Sequence, residues 1–316
     1  MALNVGWTLA TLVQACMTHM DDEICCTLLE RDLFDLLLGT SGIPSSIRSA
    51  MISAIILWMA LRIEEDKQQR YMPRVVEPLV SIITVVFGAV QDLPELFDSV
   101  ARFKSNNIEF IVIDGGSKDG TRELLGQYDS VIDYWVSEPD RGIYDAMNKG
   151  IAAARGTFLF HLNAGDRLLH LPIQELIVAR SNDTDVAAFR VLLDGKREFR
   201  PRCGVELRLK NTLHHQGTFY KRAGFPVYNI DYRVFADFDA NQRLARDGAR
   251  IAIFNQVVAS HMGGGLSDVQ TEATVAEFFE VIRKNYGWIH LPPAWLICKW
   301  RGLNTRLSLL LQRLSC

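Results

Sequence analysis

Ile111-Val-Ile-Asp-Gly-Gly-Ser-Lys-Asp-Gly-Thr121 decides the reading of this chain. Three branched apolar residues run into an aspartate, two glycines and a short polar turn, the pattern of a buried strand that ends in an acidic loop and opens a helix. One helix-length upstream lies a similar run, Leu79-Val-Ser-Ile-Ile-Thr-Val-Val-Phe87. Downstream, Thr157-Phe-Leu-Phe-His-Leu162 runs into Asn163-Ala-Gly-Asp166. Strands that alternate with helices build a mainly parallel sheet, and such sheets bind ligands beyond the carboxyl ends of their strands. Thr84, Asp114 and Asp166 therefore mark a site for a nucleotide and a metal.

Between these strands the chain reads Ser137-Glu-Pro-Asp-Arg-Gly-Ile-Tyr-Asp-Ala-Met-Asn-Lys-Gly150. With the preceding motifs in order, residues 78–300 resemble the family 2 glycosyltransferases of GT-A fold, and within them the colanic-acid-type sugar transferases of exopolysaccharide assembly. The resemblance implies an inverting transfer from a nucleotide-diphosphosugar to a hydroxyl of a saccharide or lipid-linked saccharide. It implies that Thr84, Asp114, Gly115, Asp140, Arg141, Tyr144, Asp145 and Asn163 hold the donor. Arg141 suits a phosphate through its forked donors. The plain alternative for Asp114 is a cap on the following helix, a role that Asp119 fills better.

Family 2 usually carries two adjacent aspartates where this chain has Gly165-Asp166. Asp166 keeps the second, and a hard ion, Mg²⁺ or Mn²⁺, suits carboxylate and phosphate oxygens. His261 is a second candidate ligand. The glycine at 165 also supports a rival reading, a binding or scaffold protein that keeps the fold without the chemistry. Tyr232-Arg-Val-Phe-Ala-Asp-Phe-Asp-Ala-Asn-Gln-Arg243 resembles the acidic motif that supplies the base, with Asp237 first and Asp239 second. Carboxylates in a first helical turn also serve plain dipole compensation. His215 and Gln216 are expected at the acceptor. The glycines at 263–265 suit a loop that closes over the diphosphate.

The remaining sequence sets limits. The 316 residues are 48% hydrophobic and 22% charged, with net charge −3, so nothing favours nucleic acid. Six scattered cysteines show no metal spacing and suit a reducing cytoplasm. Residues 1–77 read as a helical extension, 78–267 as the catalytic domain and 268–316 as C-terminal helices. Translation from a later start would remove the extension without touching the family fold. Met51–Leu61 is apolar but about half the ~20 residues of a membrane span. After Glu280 no acidic residue occurs. There Leu296, Trp300, Leu303, Leu307, Leu311 and Leu314 recur at helical spacing beside Lys299, Arg306 and Arg313. That stripe fits a helix lying on an anionic membrane, with peripheral attachment to the inner face of the cell membrane; packing on the protein core is the alternative.

Overall fold

The computed structural model describes residues 77–263 and 271–299. The helical extension before residue 77, most of the glycine loop and the leucine stripe beyond Lys299 lie outside the described residues.

Strand β1 (Val80–Val86) is followed by helix α1 (Leu93–Ala101), β2 (Ile108–Asp114), α2 (Thr121–Gln127), β3 (Tyr134–Ser137), α3 (Ile143–Ala153) and β4 (Phe158–His161). Then come β5 (Arg167–Leu168), α4 (Ile173–Ser181), β6 (Val186–Leu193), β7 (Arg197–Phe199) and β8 (Thr218–Lys221). Helix α5 (Ala236–Arg246), β9 (Ile251–His261) and α6 (Glu272–Tyr286) follow, and a last helix runs over residues 291–299. The strands form one sheet in the order β3-β2-β1-β4-β8-β6-β9-β5, with β7 on β6. Pairing is parallel from β3 to β4 and between β6 and β9; β8, β7 and β5 run the other way.

β1, β2 and β4 are buried along their whole length, which explains their unbroken apolar runs. Phe97, Phe110, Phe160 and Phe219 fill one face of the sheet. Ile83, Ile111, Leu159, Phe238 and Ile282 fill the other, under α3, α5 and α6. Phe160 pairs with Phe219 in the β4–β8 register, and their rings stack at 4.2 Å.

Several boundaries differ from the pattern reading. The sequence pattern predicts a helix over 118–127; it starts at Thr121, because Asp119 accepts from Thr121 N and Oγ1 and from Val90 N and holds the turn open. The pattern predicts a helix over 232–247, which starts at Ala236. It predicts strands over 131–136 and 198–202, which are Tyr134–Ser137 and Arg197–Phe199. Helix α4 was not expected: Ile177 and Val178 face solvent, and these exposed apolar residues blur its period.

Candidate active site

Two strand registers assemble the centre of the site. β5 pairs antiparallel with β9, Leu168 against Ala259 and Arg167 against Ser260. One step further along that register, Asp166 meets His261, with Oδ1 2.7 Å from Nδ1. β4 pairs antiparallel with β8, Phe160 against Phe219. Carried past the strand ends, that register brings Asn163 to the turn His215–Gly217. Asn163 Nδ2 stands 3.2 Å from His215 Nε2. Gln216 Nε2 donates to Asp166 Oδ2 at 2.9 Å and lies 3.2 Å from His261 Nδ1. Asn163, Asp166, His215, Gln216 and His261 thus come together.

Asp166 is 2% exposed, and its Oδ2 also accepts Asn163 N–H at 2.8 Å. Gly165 takes φ +85°, a left-handed turn that glycine adopts without strain. The donor set suits a hard divalent ion. A carboxylate oxygen and an imidazole nitrogen meet at one point, and Asn163 Oδ1 and Gln216 Oε1 are buried acceptors with no protein partner. Among the described residues no group of three or more His, Cys, Asp or Glu side chains is arranged to hold an ion. Other ligands would have to be amide, water or substrate oxygens.

The base candidate begins α5. Asp237 Oδ2 accepts from Asn211 Nδ2 at 2.9 Å and lies 3.5 Å from His215 Nδ1. Its side chain is 12% exposed, and Oδ1 has the longer 3.4 Å contact to Tyr144 Oη. Asp239, two residues on, faces the other way. Its oxygens accept from Arg243 Nε at 2.8 Å and Asn285 Nδ2 at 2.9 Å, in a pocket that leaves the residue 2% exposed. Asp239 therefore locks α5 to α6.

The expected donor residues divide. Asp114 ends β2 fully buried; it accepts from Ser117 N and Oγ and from Ser137 Oγ at 2.6 Å, so it ties the turn to β3. Thr84 is fully buried in β1 and donates to Leu162 O at 2.6 Å. Its hydroxyl hydrogen staples β1 to the end of β4. At Gly115 a Cβ would run into Asp140 Oδ2, so the glycine admits that carboxylate. Asp140 Oδ1 accepts Gly142 N–H at 2.8 Å and opens α3. Arg141 is exposed and pairs with Asp145 at 2.9 Å. Tyr144 was expected at the donor; it is buried, and its hydroxyl donates to Val234 O at 2.5 Å beside Asp237. Burial, and then the Asp237 charge, push its phenol well above the ordinary range.

Sequence patterns passed over four residues. Asn211 holds the Asp237 carboxylate. Glu277 on α6 accepts the backbone N–H groups of Arg233, Val234 and Phe235 just before α5. Phe87 is 74% exposed at the carboxyl end of β1, packed beside Gly115. His161 ends β4 fully buried with no protein partner for either ring nitrogen, and burial pushes it down to about 3. Only Phe87 carried a readable signal, an aromatic residue directly after a buried strand.

A strand-end acidic site on a mixed sheet of this order is that of a GT-A glycosyltransferase. Residues 81–229 match the family described as Glycosyl transferase family 2. A PGL/p-HBAD biosynthesis glycosyltransferase of Mycobacterium tuberculosis is 31% identical over 207 residues, which cover 60% of this chain and 80% of that protein. An uncharacterized glycosyltransferase of the same species is 46% identical over 91 residues, covering 28% of this chain and 35% of that protein. Staphylococcus aureus TarS 1–349, solved in complex with UDP-GlcNAc, is similar in fold, with TM-score 0.51 and 15% identity over 65% of this chain and 64% of that one. The chain thus spans somewhat less than two thirds of that structure.

The chain belongs to glycosyl transferase family 2 and is a glycosyltransferase. These relatives do not single out the colanic-acid-type subgroup.

Proposed function

We propose that this enzyme inverts the anomeric centre as it moves a sugar from a nucleotide-diphosphosugar to a hydroxyl of a saccharide acceptor. One observation carries the reading: Asp166 and Asp237, carboxylates 71 positions apart in the chain, are joined through Asn163 and His215. Asp237 takes the proton of the attacking hydroxyl, a contribution of ~10²–10⁴-fold. A divalent ion, Mg²⁺ or Mn²⁺, would be held by Asp166 and His261, and when bound it supplies positive charge for the departing diphosphate. Asp140, Arg141 and Asp145 border the donor side, and the exposed ring of Phe87 offers a face for the nucleobase. His215 and Gln216 line the acceptor side.

We further propose that the acceptor is lipid-linked, in assembly of a surface polysaccharide, and that the enzyme sits on the inner face of the cell membrane. Support comes from Trp288, Ile289, Trp295 and Leu296, all exposed, beside Arg283, Lys284 and Lys299. Lys299 Nζ lies 4.7 Å from the Trp295 ring centre. Aromatic and basic residues side by side suit the headgroup level of an anionic bilayer. Among the described residues no helix is long and apolar enough to cross a membrane.

The test is release of nucleoside diphosphate from a panel of nucleotide-diphosphosugars, with and without lipid-linked acceptor. No turnover with any donor would overturn the chemistry. Flotation with vesicles of phosphatidylserine and phosphatidylcholine tests attachment. Binding that survives replacement of Trp288 and Trp295 by alanine would move the membrane contact elsewhere.

A further inference from the structure

The structure assigns His215 as a positioning residue that aims Asp237, held in one tautomer by Asn163. The assignment rests on Asp237 being the base. Nδ1 of the ring faces Asp237 Oδ2 at 3.5 Å, and Nε2 faces Asn163 Nδ2 at 3.2 Å. An amide nitrogen only donates, so Nε2 offers its lone pair and the ring proton sits on Nδ1. That proton lies on the side of the ring that faces the carboxylate, 3.5 Å from nitrogen to oxygen. The opposite tautomer would set a bare nitrogen against Asp237 and an N–H against the Asn163 amide hydrogens, two repulsive contacts in place of two favourable ones. Turning the amide over would mend only the Asn163 side.

The consequence falls on the two oxygens of Asp237. Oδ2 is occupied by Asn211 and by His215. Oδ1 has only the 3.4 Å contact to Tyr144, whose hydroxyl hydrogen goes to Val234 O. Oδ1 is therefore the oxygen left to accept the proton of an acceptor hydroxyl, and His215 fixes the carboxylate rotation that presents it. Asn163 also binds the Asp166 carboxylate through its backbone N–H, so one short chain of contacts links the leaving-group side to the base. Such partners set the orientation of a reacting group.

Two variants separate the nitrogens. In His215→Asn the amide falls near the place of Nδ1 and keeps a donor toward Asp237. In His215→Gln it falls near the place of Nε2 and loses that donor. With nucleotide-diphosphosugars as donors and water as the acceptor, His215→Gln should release nucleoside diphosphate about 10- to 100-fold more slowly, the value of one hydrogen bond to a charged group. His215→Asn should recover at least about half of that loss on a logarithmic scale, and nucleotide affinity should hold in both. Nitrogen-15 spectra of the full-length wild-type protein, labelled at histidine, should show His215 protonated at Nδ1 and bare at Nε2. The Nε2–H tautomer, or equal damage from both variants, overturns the assignment. So does a harmless His215→Gln while Asp237→Asn is inactive. If Asp237→Asn itself hydrolyses donor at the wild-type rate, the base reading falls first and takes the role of His215 with it.

Discussion

Glu277 accepts the backbone N–H of Phe235 at 2.7 Å, and so fastens α6 to the first turn of the helix that carries Asp237. The same carboxylate takes Val234 N–H at 2.8 Å and Arg233 N–H at 2.9 Å. It serves as a helix cap supplied from another element. Glu277→Gln should cost about 1–3 kcal/mol and lower Tm by several degrees, because an amide oxygen accepts less strongly and its NH₂ group repels the N–H donors. Turnover should fall more than donor affinity. Thermal denaturation beside donor titration checks both; an unchanged Tm would show the cap to be dispensable.

Asp237 and Asp239 should fail differently. Asp237→Asn should keep nucleotide affinity and lose ~10²–10⁴-fold in turnover. Asp239→Asn leaves Arg243 and Asn285 with a weaker partner in a buried pocket, so it should lower Tm while active protein turns over near normally. A stable but inactive Asp239→Asn would place the base two residues later.

Phe87 should contribute to donor affinity without touching chemistry. Replacement by alanine removes an exposed ring at the mouth of β1, and base stacking on such a ring is worth ~1–3 kcal/mol. Calorimetry with UDP and GDP should show binding roughly 5- to 150-fold weaker, with kcat little changed at saturating donor. Equal affinity would leave the ring without a ligand.

Asp166→Ala should raise the Mg²⁺ or Mn²⁺ concentration needed for tight nucleotide binding, and His261→Ala should do so more mildly. Titration of nucleotide affinity against metal separates this from lost turnover. Wild-type protein that binds and turns over donor fully in a chelator would remove the metal from the proposal.

Stability should rise with pH across the range set by His161. Its ring is buried and held down to about 3, against an ordinary value near 6.5. Between those values the unfolded chain binds a proton that the folded chain does not. Stability is therefore lost as pH falls below about 6.5, with a limiting slope of ~1.4 kcal/mol per pH unit. His214, likewise depressed by burial, adds to the same slope. His161→Leu should flatten the Tm–pH curve there, since it buries no unpaired nitrogen; an unchanged curve would assign the slope to other groups.

The strands β1, β2 and β4 were legible because burial on both faces leaves continuous apolar runs. The polar breaks that carry Asp166 and Asp237 were legible as a strand end and a helix start. Which of Asp237 and Asp239 turns toward α6 was not, since two residues on a helix point about 200° apart and only tertiary packing says which side is inward. The resemblance puts Tyr144 with Arg141 at the donor; the contact of its hydroxyl with Val234, 90 positions away, has no local signal. Asp114 looked like a ligand residue and turned out also to be a knot, because Ser117 and Ser137 reach it from two loops. Glu277 carried no local signal at all: its partners lie more than 40 positions upstream.

The pairing of β5 with β9 has a consequence for the making of this protein. Asp166 waits 95 positions for His261, and α5 with Asp237 lies between them. On the ribosome, the four parallel strands of the donor half emerge first and have most of their core partners at hand. Their acidic loop stays unfinished until β9 has cleared the exit tunnel and docked between β6 and β5. A nascent or prematurely ended chain that stops before β9 lacks the strand that sets His261 against Asp166. It should not squander activated sugar before synthesis is complete.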